Sequence, residues 1–180
     1  FIFTHDSIYL GEDGPTHQPI EHLMALRLIP NLDVIRPSNS AEVEYAYKYA
    51  FSKSGNPKAI VLTRQNLEFL DIENKYEDFE KGAYIISDGS EITIFASGSE
   101  LELAFAIKEY LNETSVRIVS TPILNKLENV SSRMIDELKV SNLNFTIELG
   151  RSIGWKNYLG SVTKSFSLDE FGISAPVKDL

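Results

Sequence analysis

Two of the chain's three histidines, His5 and His17, fall in an N-terminal stretch that also carries Asp6, Glu12 and Asp13. An imidazole titrates near neutrality without help, so His17 is a candidate proton carrier; the plainer alternative is a histidine that only hydrogen-bonds its own loop. Asp13, between Glu12 and the Gly14-Pro15 pair, reads on its own as a turn former that caps its turn through its side chain. Arg64 follows the apolar run 59–63. A guanidinium matches phosphate with two parallel bonds, and a charge-assisted bond contributes about 1.5–3 kcal/mol. The competing reading for Arg64 is an ion pair with the acidic stretch that follows. His5 has the same standing as Arg64. Asp6 and Glu12 read as loop architecture, and His22, off the apolar stripe of the next helix, is assigned no chemistry.

These side chains need a scaffold. Residues 1–4 read as a strand that breaks into a turn-rich loop, where Gly11 and Gly14 allow unusual backbone angles and Pro15 fixes one. In an open α/β sheet, ligands bind at such strand ends. A helix is expected over 19–28 with proline in its first turn, then a short strand at 33–36. Asn39 and Glu42 make a capping pair for a helix with the apolar stripe Val43, Ala46, Tyr47, Ala50 and Phe51. A buried strand over 59–63 completes a parallel unit. The acidic segment 68–81 reads as a linker. The second unit is expected to hold strands at 84–86 and 92–96 around the Asp88-Gly89 turn. A helix over 100–112 follows, with Leu103, Ala104, Ile107, Tyr110 and Leu111 on one side. A strand at 116–119, a helix over 131–140, and strands at 145–148 and within 160–166 complete it. Ser99 with Glu102 reads as a capping box, and glutamates in the first helical turn argue against an anion there. Trp155 reads as core. The fold class is α/β: two small three-layer units with mainly parallel sheets, over 1–67 and 82–180.

The chain has 180 residues, 43% of them hydrophobic, which allows one large domain or two small ones with real cores. A formal net charge of −9 argues against nucleic acid and anionic membranes as partners, and requires any phosphate site to be built locally. The absence of cysteine excludes disulfides, thiolate metal sites and a cysteine nucleophile. No apolar run approaches the roughly 20 residues of a membrane span and no signal peptide is visible, so a cytoplasmic location is the default. Phe1 lies inside a strand-like run and Leu180 follows a helix start at 174–179. Both ends read as cuts in a longer polypeptide.

The string Thr4-His5-Asp6-Ser7-Ile8, followed at fixed spacing by Gly11-Glu12-Asp13-Gly14-Pro15-Thr16-His17-Gln18-Pro19, resembles the transketolase family. Arg36-Pro37, Thr63-Arg64-Gln65-Asn66 and Ala96-Ser97-Gly98-Ser99-Glu100 are similar to it as well. The likeness runs nearly the whole length. It covers the family's C-terminal part, namely the end of the pyrimidine-binding domain (1–67) and most of the C-terminal domain (82–180). It implies a two-carbon ketol transfer between ketose and aldose phosphates through thiamine diphosphate and Mg2+ in a full-length homodimeric enzyme. By that resemblance His17 lies beside the cofactor's aminopyrimidine, assists proton movement and holds a substrate hydroxyl. Asp13 accepts from the hydroxyl next to the sugar's carbonyl carbon, and His5 with Arg64 holds the phosphate tail. No Gly-Asp-Gly triplet, the family's metal and diphosphate motif, occurs here. No cofactor-binding or metal residue is therefore assigned. This piece is expected to need the missing N-terminal domains, to bind neither thiamine diphosphate nor Mg2+ alone, and to be inactive alone. Alternatives are a dihydroxyacetone synthase-like enzyme, a non-catalytic assembly module, or the small subunit of a split enzyme.

Overall fold

The computed structural model describes residues 1–52, 55–67 and 75–180. The first sheet holds β1 (Ile2–Phe3), β2 (Asp33–Ile35) and β3 (Lys58–Val61) in the order β1-β3-β2, all parallel. The second sheet has the order β4-β6-β5-β7-β8, with β4 (Tyr84–Ser87), β5 (Ile92–Ala96), β6 (Val116–Ser120), β7 (Asn144–Ile147) and β8 (Lys164–Phe166). Every pairing in it is parallel except β4 with β6. The α/β class with mainly parallel sheets follows from the strand–helix alternation, because parallel neighbours need a crossover. β4 and β5 do not pair across the Asp88-Gly89 turn; β6 lies between them. Asp88 instead accepts from the Arg117 guanidinium on β6 at 2.7 Å and from the Gly89 N–H at 2.8 Å. That leaves both sides of the apolar β5 free for parallel partners.

The helices are α1 (His22–Arg27), α2 (Ser40–Ala50), α3 (Tyr76–Phe79), α4 (Glu100–Tyr110), α5 (Ser132–Leu138) and α6 (Trp155–Leu159). α1 starts three residues later than Pro19. The carbonyl of Ile20 is taken by the N–H of Arg151, beyond β7, at 3.0 Å. Gly150 permits this approach: a Cβ there would lie 2.9 Å from the Ile20 oxygen. Asn39 caps α2 as expected, accepting from the Glu42 N–H at 3.0 Å.

The buried faces of α2 and α4 are rotated from the apolar stripes read in the sequence. α2 buries Glu42, Tyr45, Ala46 and Tyr49, while Phe51 is 84% exposed. α4 buries Glu100, Leu101 and Ala104, while Tyr110 is 86% exposed. In both helices a carboxylate turns inward because partners wait for it. Glu42 accepts from the Ser38 N–H and hydroxyl, both at 2.8 Å, from Tyr84 Oη at 2.6 Å and from the Ser120 hydroxyl. Burial and this carboxylate together push the Tyr84 hydroxyl well above its ordinary range.

Residues 68–74 of the stretch read as a linker lie outside the described residues. Within 75–81, α3 places Phe79 fully inside a cluster with Ile35, Tyr45, Ile60, Tyr84 and Ile123, which joins the two sheets. Trp155 is fully buried, as expected, in a core with Phe95, Val119 and Leu124.

Candidate active site

Because β1 and β3 are adjacent and parallel, the loops that follow them leave the same edge of the sheet. The Leu62 N–H donates to the Phe3 carbonyl at 2.8 Å, the last rung before both chains diverge. The first loop is then closed on itself. The Ser7 hydroxyl accepts from the Tyr9 N–H at 3.3 Å and opens a 3-10 turn over 8–10. The N–H groups of Gly14 and His17 donate to the carbonyls of Gly11 and Gly14. Gln18 Nε2 reaches back to the Gly11 carbonyl at 2.8 Å and across to the Ile173 carbonyl at 3.0 Å. Gln65 Nε2 donates to the Leu10 carbonyl at 3.0 Å and ties the second loop to the first.

This framework brings His5 and His17 together. Their ring centroids are 6.4 Å apart with planes inclined at 54°. His5 is half-buried and sits in left-handed backbone at φ 64°, a conformation uncommon for a non-glycine residue; His17 is exposed. Each ring is held by the threonine before it, Thr4 Oγ1 to His5 Nδ1 at 2.7 Å and Thr16 Oγ1 to His17 Nδ1 at 2.9 Å. A hydroxyl both donates and accepts, so either tautomer keeps this bond. The bond restrains each ring through its Nδ1 alone. Both rings line a cavity of about 490 Å³ whose apolar wall includes Leu23, Leu26 and Val61.

His22, read as chemically silent, lines the same cavity. It is the first residue of α1, and its Nδ1 lies 3.2 Å from the Glu21 carboxylate. The signal available was closeness in the chain, since His22 stands only five residues past His17 and opens the helix that follows the loop. Asp13 and Arg64 are exposed and do not line this cavity. Arg64 stands three residues past β3, at the same sheet edge as His5. Asp13 lies within the loop that joins the two histidines.

Beneath the loop is a buried charge cluster that sequence reasoning missed. Arg36 is fully buried; its Nε donates to Asp6 at 2.8 Å and its Nη2 to Glu100 at 3.0 Å, while its Nη1 bonds both Glu100 and the Ser97 carbonyl. Arg27 grips Glu148 with two bonds of 2.8 and 2.7 Å, and Trp155 Nε1 donates to the same carboxylate at 2.7 Å. Burial alone would favour neutral Arg36, but Asp6 and Glu100 hold it protonated, above its ordinary value. Burial pushes Glu100 up, and the nearby Asp6 and Glu148 add to this against the pull of Arg36. For Glu148, burial is outweighed by Arg27, Arg36 and the Trp155 bond, which hold it below the usual carboxylate value. The expected Ser99–Glu102 capping box is absent. Ser99 has helical backbone, makes no side-chain cap bond, and buries its hydroxyl without a partner. The loop is shaped instead by Glu100 turning in to Arg36. Asp6, read only as loop architecture, is the N-terminal anchor of this cluster.

Comparison with known proteins bears on this arrangement. Residues 1–69 match the transketolase pyrimidine-binding domain, and residues 82–180 match the transketolase-like C-terminal domain. The chain belongs to the transketolase family. The transketolase of Halalkalibacterium halodurans is 40% identical over 185 residues, covering 98% of this chain and 28% of that protein. The structure of transketolase from Leishmania mexicana superposes with a TM-score of 0.90 at 36% identity, over 99% of this chain and 27% of that one. A Pichia stipitis transketolase in complex with sedoheptulose-7-phosphate gives 0.83 at 37% identity, over 98% of this chain and 26% of that one. The chain thus spans about 28% of the length of the curated transketolases it matches. Among the described residues no group of three His, Cys, Asp or Glu is arranged to hold a metal ion, and no helix is long and apolar enough to cross a membrane.

Proposed function

We propose that the whole protein is a transketolase that moves a two-carbon ketol unit from a ketose phosphate to an aldose phosphate, with this chain as one wall of the site. The observation that carries this reading is the pair His5 and His17, held by their threonines on one cavity at the ends of parallel strands. Nε2 of the exposed His17 takes and returns a proton and holds a substrate hydroxyl. Help of this kind contributes typically about 10²–10⁴ in rate. Asp13 accepts from the hydroxyl beside the sugar carbonyl, and selects 2-hydroxyaldehydes because a carboxylate left unpaired disfavours analogues that lack the group. Arg64 and His5 supply the local positive site that binds the phosphate against the chain's overall negative charge.

Thiamine diphosphate fits this chain on one side only. Leu23, Leu26 and Val61 offer an apolar surface to an aromatic ring beside His17, whereas the described residues hold no metal-binding group for Mg2+ and the diphosphate. When bound, the cofactor supplies the electron sink for cleaving the ketose carbon–carbon bond. The missing N-terminal domains carry the rest. β1 is an edge strand with Phe1, Ile2 and Phe3 exposed, which suits a sheet continued by further strands. We place the full-length protein in the cytoplasm, as a homodimer acting in the pentose phosphate pathway.

The test is ketol transfer by the full-length protein and its His17→Ala variant. A fall in kcat of about 10²–10⁴ with cofactor affinity retained is expected; an unchanged kcat refutes the role. This chain alone should turn over no sugar phosphate, and measurable turnover by it would refute the one-wall reading.

A further inference from the structure

We propose that Glu100, which lies outside the site loops, is a positioning residue for the phosphate end of the site, acting through Arg36 and Asp6 on His5. This rests on the role given to His5 above. The chain of contacts is short and is buried from Glu100 as far as Asp6. Glu100 opens α4 beside the second sheet, and its carboxylate holds Nη1 and Nη2 of Arg36. The adjoining edge of the same guanidinium holds Asp6, with Nε at 2.8 Å and Nη2 at 2.7 Å from one oxygen. Asp6 adjoins His5, and both residues line the cavity.

Arg36 has little freedom to answer to anything else. Its N–H donates to the Pro122 carbonyl at 2.8 Å, and its carbonyl accepts from the Gly98 N–H at 3.1 Å. Gly98, at φ +59°, is pressed against the guanidinium so closely that a Cβ there would sit 2.7 Å from Nε. Arg36 is therefore clamped by elements of the second sheet, and Asp6 is clamped by Arg36. His5 needs such an anchor, because its left-handed backbone is one an L residue leaves when released. Thr4 restrains its ring, but the exposed Thr4 has no comparable support of its own.

The charge count points the same way. Asp6 with Arg36 and Glu148 with Arg27 are already balanced pairs, so Glu100 is a third carboxylate against two guanidiniums. A buried carboxylate surplus to charge balance costs desolvation. It is accounted for here by geometry: it fixes the second edge of Arg36 and accepts from the Leu149 N–H at 3.1 Å. Burial raising the Glu100 carboxyl accords with this surplus. It also makes Glu100→Gln a mild substitution. The amide keeps one acceptor and the size, loses one of the bonds to Arg36, and leaves the two neutral pairs intact.

The experiment uses the full-length protein with Glu100→Gln, Asp6→Asn and both together. For a ketose phosphate, Glu100→Gln should raise KM about tenfold, equivalent to about 1.4 kcal/mol, with kcat within about twofold of wild type. For an unphosphorylated ketose KM should not move. Adding Glu100→Gln to Asp6→Asn should change little further, because both act along one route. Hydrogen–deuterium exchange should quicken about tenfold over residues 4–7, while residues 11–18, β5 and β6 keep wild-type protection. Asp88→Asn, at the exposed Arg117 pair, serves as the control and should alter neither reading. Equal losses for phosphorylated and unphosphorylated ketoses, exchange rising alike in β5 and β6, or additive single effects would overturn the proposal. So would no effect at all. A wild-type protein without ketol transfer would sink the functional reading separately, and the exchange data would still decide whether Glu100 governs the loop.

Discussion

Replacing Arg27 by Met removes the partner that grips Glu148 with two bonds while roughly keeping the volume that packs near Trp155, whose ring lies 5.9 Å from the guanidinium. Both side chains of the pair are 1% exposed, so no water can replace the lost bonds. Glu148 keeps Trp155 Nε1 at 2.7 Å, Ser97 Oγ at 3.3 Å and a distant Arg36 at 3.8 Å. Breaking a buried pair from one side typically costs about 3–5 kcal/mol. With an unfolding entropy of about 2.1 cal/mol/K per residue, a chain of this length loses roughly 8–13 °C of Tm. The sign of the pH dependence follows from Glu148. Its folded-state pKa lies below the unfolded one, so in wild type its contribution is present above the unfolded value and lost as pH falls through the folded one. In the variant the carboxylate is unpaired and takes up a proton more readily. The gap between wild type and variant should therefore be widest at neutral pH and shrink toward pH 4. Thermal unfolding across pH 4–7, followed by fluorescence of the single tryptophan, Trp155, reads both. A Tm loss under about 2 °C at pH 7, or a gap independent of pH, would refute the assignment of this pair as an ion pair that matters to the fold.

Gly98→Ala should lower stability by at least about 2 kcal/mol, combining left-handed backbone with a clash at Arg36; an unchanged urea midpoint would contradict it. Asn39→Ala removes the α2 cap and should cost about 1 kcal/mol by the same measurement. In the full-length protein, Arg64→Gln should raise KM about tenfold for sugar phosphates and leave unphosphorylated sugars unaffected. Equal effects on both would remove Arg64 from the phosphate role.

Most of the strands are legible because they are short apolar or β-branched runs between turn residues, β8 with Lys164 and Ser165 being the exception, and alternation with helices gives parallel pairing. The histidine loop was legible because its spacing was read with its glycines and proline. What escaped shares one cause. Hydrophobic periodicity assigns charged residues to solvent, so Glu42 reads only as a cap partner, Arg36 and Glu100 only as parts of family-like strings and Glu148 only as a strand end, and the faces of α2 and α4 come out rotated. Their partners are remote in the chain: Arg27 and Glu148 stand 121 positions apart, Arg36 and Glu100 stand 64 apart. No local pattern records such a pairing. α6 escaped for a related reason, since five residues are too few to show a helical period.

The bond from Gln18 to the Ile173 carbonyl spans 155 positions, and the Ser174 hydroxyl donates to the Glu12 carbonyl nearby. Contacts of that reach return free energy only after the intervening chain is in place, since closing so long a segment carries the greatest entropic penalty. The histidine loop is thus expected to close after both sheets are built and to open before them on unfolding, with competence to bind lost before secondary structure; amide exchange in residues 8–18 no faster than in β5 and β6 would refute this.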